Sequence, residues 1–222
     1  KLTGAQPESY ERIILRTLSV FDYVGWKEDK KDELLFLLSN KFITGFDKEP
    51  SLLIEEADKI ITKNIRLGYI TERGRTISIT SDPLVKQLSN EWLSSLDADR
   101  LYKVFKILSS NDSKRLAKEF HDRFVTLDQL EGAKNVVTHL INTFSSNKDN
   151  SFLDTDKGSL LIEAMAEVMP ELVSNLLAQY IIPKSVDELK AFEKGRRNIV
   201  WTLSRLCFIP ELFEESSECL LK

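Results

Sequence analysis

Residues 67–80, LGYITERGRTISIT, interrupt a chain whose apolar residues otherwise recur at helical spacing. Ile70 stands between Tyr69 and Thr71, and Ile77 and Ile79 alternate with Ser78 and Thr80, the period of two that half-buried strands show. Arg73, Gly74 and Arg75 separate the two runs, and Gly74 supplies the left-handed position that a tight turn needs. A β-hairpin is therefore expected here. One hairpin in a helical chain sets it apart from a plain bundle, and the flanking segments decide which mixed architecture results.

Upstream, residues 8–22 place Tyr10, Ile13, Ile14, Thr17, Leu18 and Phe21 on one helical face, with Pro7 near the start. The polar stretch GWKEDKKD leads into a second helix, ELLFLLSNKF, which holds Leu34, Leu35, Leu37, Leu38 and Phe42. TGFDKEPS, with Gly45 and Pro50, is a linker. A third helix over about 51–66 has an apolar stripe of Leu52, Leu53, Ala57, Ile60, Ile61 and Ile65, with Glu55, Glu56, Asp58, Lys59 and Lys63 facing outward. After the hairpin, Asp82 as cap and Pro83 as first helical residue open a helix carrying Leu84, Val85, Leu88, Trp92 and Leu93. Three helices, a hairpin and a closing helix are the winged-helix order, and a winged-helix domain is expected over 1–96.

Residues 97–222 read as helices alone: 98–109, 112–124, 127–145, 158–168, 170–182, 185–193, 196–207 and 210–221. Breaks fall at Ser109-Ser110, in SSNKDNSFLDTDKG, and at Pro170, Pro183 and Pro210. Met169-Pro170-Glu171-Leu172 and Ile209-Pro210-Glu211-Leu212 echo one another, each ending one apolar helix and starting the next. No fixed period survives counting, so the expectation is a mainly α chain whose second part is repeat-like, either solenoid or bundle.

The 222 residues suffice for one or two domains with their own cores. Lys plus Arg number 31 against 35 Asp plus Glu, a net charge of −4, which provides no general attraction to nucleic acid or to an anionic membrane. No apolar run reaches membrane-helix length and no signal peptide opens the chain, so membrane partners are not expected. Cys207 and Cys219 read as buried free thiols of a cytoplasmic protein. Lys1 is not an initiator methionine, and Lys222 directly follows a strong apolar pattern. The expectation is an excised piece of a longer protein, truncated at its C-terminus.

The chemistry-bearing residues form no catalytic constellation. His121 and His139 are the two histidines, with Glu119, Asp122, Asp128 and Glu131 nearby. There is no HExxH, and adjacent His121 and Asp122 are not expected to share a helix face, so no metal site is assigned. No GxxxxGK[ST] loop is present, and Gly68 and Gly74 bracket a strand rather than a dinucleotide. No catalytic or cofactor-binding residue is assigned.

Contact residues are a different matter. Arg66, Arg73 and Arg75, around the hairpin, are candidates for an interdomain or nucleic-acid contact. Residues 1–96 nevertheless hold 14 basic against 15 acidic residues, and Glu55, Glu56 and Asp58 would repel phosphate from the third helix. Arg73 has a further possible role, reaching the phosphates of a nucleotide held by another domain. In GRRNIVWTLSRLC, Arg196, Arg197 and Trp201 are interface candidates, although a core position between stacked helices is the plainer expectation for Trp201.

RTLSVFDYVGW (16–26) and LGYITERGRTISITSDPLVKQLSNEWL (67–93) resemble the winged-helix domain that follows the ATPase module in bacterial STAND-class NTPases, signal-transducing ATPases that include antiphage defence proteins. LIEAMAEVMPELVSNLL (161–177) and NIVWTLSRLCFIPELFEESSECLLK (198–222) resemble the helical region beyond it. The matching positions are structural: Leu18, Phe21, Val24, Gly25 and Trp26, Gly68 to Ile70, and Glu72 to Arg75. The resemblance implies a regulatory module without catalysis of its own. ATP and Mg would be bound only by the parent's ATPase domain. Its partners would be that domain, a C-terminal helical sensor and a protein trigger, in a parent that assembles as a homo-oligomer. Some relatives bring a histidine from this domain to the nucleotide; no histidine precedes His121 here, so no nucleotide-sensing residue carries over. The competing readings are a winged-helix transcription regulator with a helical ligand or dimerisation domain, and an enzyme whose site is assembled only by folding.

Overall fold

The structure, a computed structural model, describes residues 9–46, 49–110, 114–125, 138, 141–142, 153, 155–191 and 195–222. Two compact units meet in sequence between Leu96 and Asp97.

The first unit holds α1 (Tyr10–Ser19), β1 (Val24–Gly25), α2 (Lys31–Ser39), α3 (Lys41–Thr44), α4 (Pro50–Arg66), β2 (Ile70–Arg73), β3 (Thr76–Ile79) and α5 (Asp82–Ser94). Ser9 caps α1, its hydroxyl accepting from the Arg12 N–H at 3.3 Å. Ile14, Leu18, Leu37, Ile61 and Trp92 are sealed from solvent in one core; each such side chain contributes about 1.5–3 kcal/mol of burial free energy. The Trp92 indole donates to the Ile43 carbonyl at 2.7 Å, and the Ser89 hydroxyl donates to the Ser19 carbonyl at 3.0 Å, so α5 is fixed by polar as well as apolar contacts. Arg12 grips Glu91 with two hydrogen bonds of 3.1 and 2.6 Å and ties α1 to α5.

Three details depart from the sequence reading. The second helix is two helices: Asn40 breaks it and caps α3 by accepting from the Phe42 N–H at 3.1 Å, and Gly45 ends α3 at φ +72°. Ser81, not Asp82, occupies the cap position of α5. The sheet gains a third strand, with order β1-β3-β2, all antiparallel; Val24 pairs with Ile77, and Ile70 with Ile79. Gly74 (φ +60°) and Arg75 form the two-residue turn, with glycine at the first place, as a type II′ hairpin requires.

The second unit runs through α6 (Ala98–Ser110), α7 (Lys114–Val125), α8 (Asp156–Val168), α9 (Pro170–Ile181), α10 (Val186–Lys190), α11 (Arg196–Leu206), a 3-10 turn at Pro210–Leu212 and α12 (Phe213–Leu221). Helix α8 packs against α6, α7, α9 and α11, while α12 packs on α9 and α11. Thr155 caps α8 by accepting from the Gly158 N–H at 2.9 Å. Ser185 and Glu188 cap α10 reciprocally. Pro170 starts a helix directly, whereas its echo Pro210 starts the 3-10 turn that runs on into α12. The expected helix over 127–145 falls largely outside the described residues. The chain is thus mainly α-helical, a winged-helix arrangement with a small antiparallel sheet followed by a long helical region. No helix among the described residues is long and apolar enough to cross a membrane.

Candidate functional site

The hairpin end of the first unit is a charge-paired surface. Arg75 donates from Nε to Glu28 at 2.6 Å and from Nη1 to Asp29 at 2.8 Å. Arg73 donates to the Tyr23 hydroxyl at 3.1 Å and stacks over the same ring at 5.8 Å from its centre. Lys27 meets Glu72 at 2.5 Å and lies 4.6 Å from the centre of the Trp26 ring. Three cations therefore sit among three carboxylates. Glu28 holds φ +52°, a left-handed backbone that non-glycine residues seldom adopt, beside its contact with Arg75. Arg66, exposed in the last turn of α4, has no ion pair among the described residues. It precedes β2, whereas Arg73 ends that strand, and the strand's own rise of about 10 Å separates its two ends. The structure brings Arg73 and Arg75 to one turn, while Arg66 ends α4 before the opposite end of β2.

The other candidate surface surrounds α11 in the second unit. Arg196 and Arg197 are exposed in its first turn, where the helix dipole is also positive, and neither has an ion pair among the described residues. Trp201 is 59% exposed. It is therefore not a core tryptophan. Arg197 and Trp201 stand four residues apart on α11, and Phe208, itself 87% exposed, lies in the turn just beyond the helix. The next arginine behaves differently: Arg205 pairs with Glu167 and lies 3.6 Å from Glu163, locking α11 to α8.

In the same unit, α9, α10, α11 and α12 line an apolar groove of about 280 Å³. Its lining includes Val186, Leu189, Lys190, Leu220 and Lys222, none of which the sequence singles out. The only signal available was the apolar content of α10 and α12, and it could not distinguish a groove wall from a core contact.

The histidine cluster is partly described. His121 Nδ1 lies 3.0 Å from Asp122 Oδ1, so these neighbours do meet, contrary to the expectation from helical spacing. Asp122 also takes a hydrogen bond from Lys118. Burial pushes the Asp122 carboxyl upward, but the bonds from Lys118 and His121 outweigh it and hold the acid below its ordinary range. His139, Asp128 and Glu131 lie outside the described residues. Among the described residues no group of three metal-ligating side chains converges. Cys207 and Cys219 are free thiols; Cys219 is buried, and Cys207 is only partly so. Burial, with the charges of Glu215 and Glu218, pushes the Cys219 thiol up to about 11.

No protein-family model matches the chain, and no curated protein or solved structure matches it at a significant level.

Proposed function

We propose that the chain is a regulatory and interaction module of a larger STAND-like NTPase in the bacterial cytoplasm, serving antiphage defence. In this reading it catalyses nothing itself and couples a sensed ligand to the state of the ATPase domain. The observation that carries the reading is the contrast between its two surfaces. At the hairpin the cations are already engaged by Glu28, Asp29 and Tyr23, which disfavours phosphate recognition. Around α11, Trp201 and Phe208 are open to solvent, as protein-contact side chains are. A winged helix joined to a helical region also supplies the rigid bodies from which a switch is built, and trigger binding would shift the population between their arrangements.

The test is ATP hydrolysis by the full-length protein. The reading predicts trigger-dependent turnover that Trp201→Ala or Arg197→Glu changes by about fivefold or more, the usual scale of coupling between sites. A full-length protein that hydrolyses no nucleotide, or whose turnover neither substitution moves, contradicts it.

A further inference from the structure

We propose that the groove between α10, α11 and α12 is a docking site for an acidic amphipathic helix of a partner protein. The inference stands on the second unit's surface alone and does not rest on the NTPase reading. Leu189, Ile199 and Leu203 give the groove an apolar floor. Val200, 43% exposed, and Val186 extend that apolar surface to the rim. A volume of about 280 Å³ falls just below the roughly 300–1,000 Å³ of small-molecule sites. It suits one or two anchor side chains of a docked segment better than a cofactor.

Charge selects the occupant. Among the described residues, the charged side chains that line the groove are all cations: Lys190, Arg196 and Lys222. Lys222 donates to the Ile182 carbonyl at 2.9 Å, and Lys190 has only a loose, exposed partner in Asp187 at 3.7 Å. Arg196 has no ion pair among the described residues, and Arg197 stands next to it. Glu215 and Glu218 are on α12, but neither lines the groove. The chain as a whole carries −4, so the attraction is local and discriminates by position rather than by bulk charge. Leucine-type anchors at i, i+3, i+4 and i+7 on the floor, with carboxylates facing Arg196 and Lys190, satisfy both features at once.

The test uses the whole 222-residue chain and a fluorescein-labelled peptide of about four helical turns, long enough to hold helical structure once docked. One version carries leucines at that spacing flanked by glutamates, and its twin has lysines for the glutamates. Anisotropy titrations should show the acidic peptide binding about tenfold tighter than its twin, with a preference that fades as salt rises. Val200→Glu, at an exposed wall position, should weaken acidic-peptide binding by about tenfold or more, and Arg196→Glu should shrink the preference between peptides. Circular dichroism of both variants should match the parent chain. Equal affinity for the two peptides, binding indifferent to Val200→Glu, or no binding at all overturns the proposal. So does concentration-dependent self-association that Val200→Glu abolishes, which would make a second copy of this chain the occupant.

Discussion

Gly25 has no room for a side chain. A Cβ there would fall 2.6 Å from both the Cβ and the carbonyl oxygen of Lys30 and 2.8 Å from the Glu33 carboxylate, which accepts the Gly25 N–H. Gly25→Ala should therefore destabilise the chain by about 1–3 kcal/mol, read as a lower urea midpoint; an unchanged midpoint would mean that α2 and β1 part easily. The two thiols differ for a related reason. Cys219 is buried and held largely protonated, so a thiol reagent should label Cys207 in the folded chain and reach Cys219 only on unfolding. Equal labelling rates, resolved by peptide mass, contradict that. Glu11 links stability to pH. Burial raises it, but hydrogen bonds from Asn64 and Lys63, with the Lys63 charge, prevail and set its folded value below 4.5. A depressed carboxyl stabilises the fold above its unfolded value, and that contribution is lost as pH falls through the folded value. Glu11→Gln should flatten the loss of stability below about pH 4.5; an acid limb identical to the parent's would place the effect elsewhere.

At the scale of elements, the turn at Gly74 isolates a conformational cost from a packing cost. Nothing lies within 4 Å of a Cβ built there, yet φ is +60°. Gly74→Val should cost about 1–2 kcal/mol from backbone strain alone, measured by denaturant titration, and a neutral result would mean that the turn relaxes to another type. This hairpin was legible in the sequence because alternation over eight strand residues is a strong periodic signal. β1 was not legible: two residues, Val24 and Gly25, carry no alternation, and they pair only because β3 presents a free edge. The break at Asn40 was hidden in the same way, since the apolar run passes straight through a cap that only local hydrogen bonding reveals. On α11 the limit was ambiguity of face. Ile199, Val200, Trp201 and Leu203 are apolar around much of the helix, and only packing against α8 and α12 decides that Ile199 and Leu203 are buried while Val200 and Trp201 are not.

At the scale of the molecule, the contact residues were legible as types but not as partners. Arg73 and Arg75 stand at the turn where the sequence puts them, but their engagement with Tyr23, Glu28 and Asp29 depends on long-range folding of the segment before α2. That engagement disfavours phosphate recognition, because freeing those guanidinium groups for DNA would forfeit existing pairs. The groove beside α11 was not legible at all, since it is assembled from four helices spread over residues 181–222. The central claim is that this chain works by contacting protein rather than by reading nucleic acid. Fluorescence anisotropy of labelled duplex DNA, titrated with the chain at low and at physiological salt, tests it most directly. The account predicts no binding at micromolar protein even at low salt. Micromolar or tighter binding with a clear salt slope, weakened by R73E/R75E, would contradict it and make the winged helix a DNA-binding element.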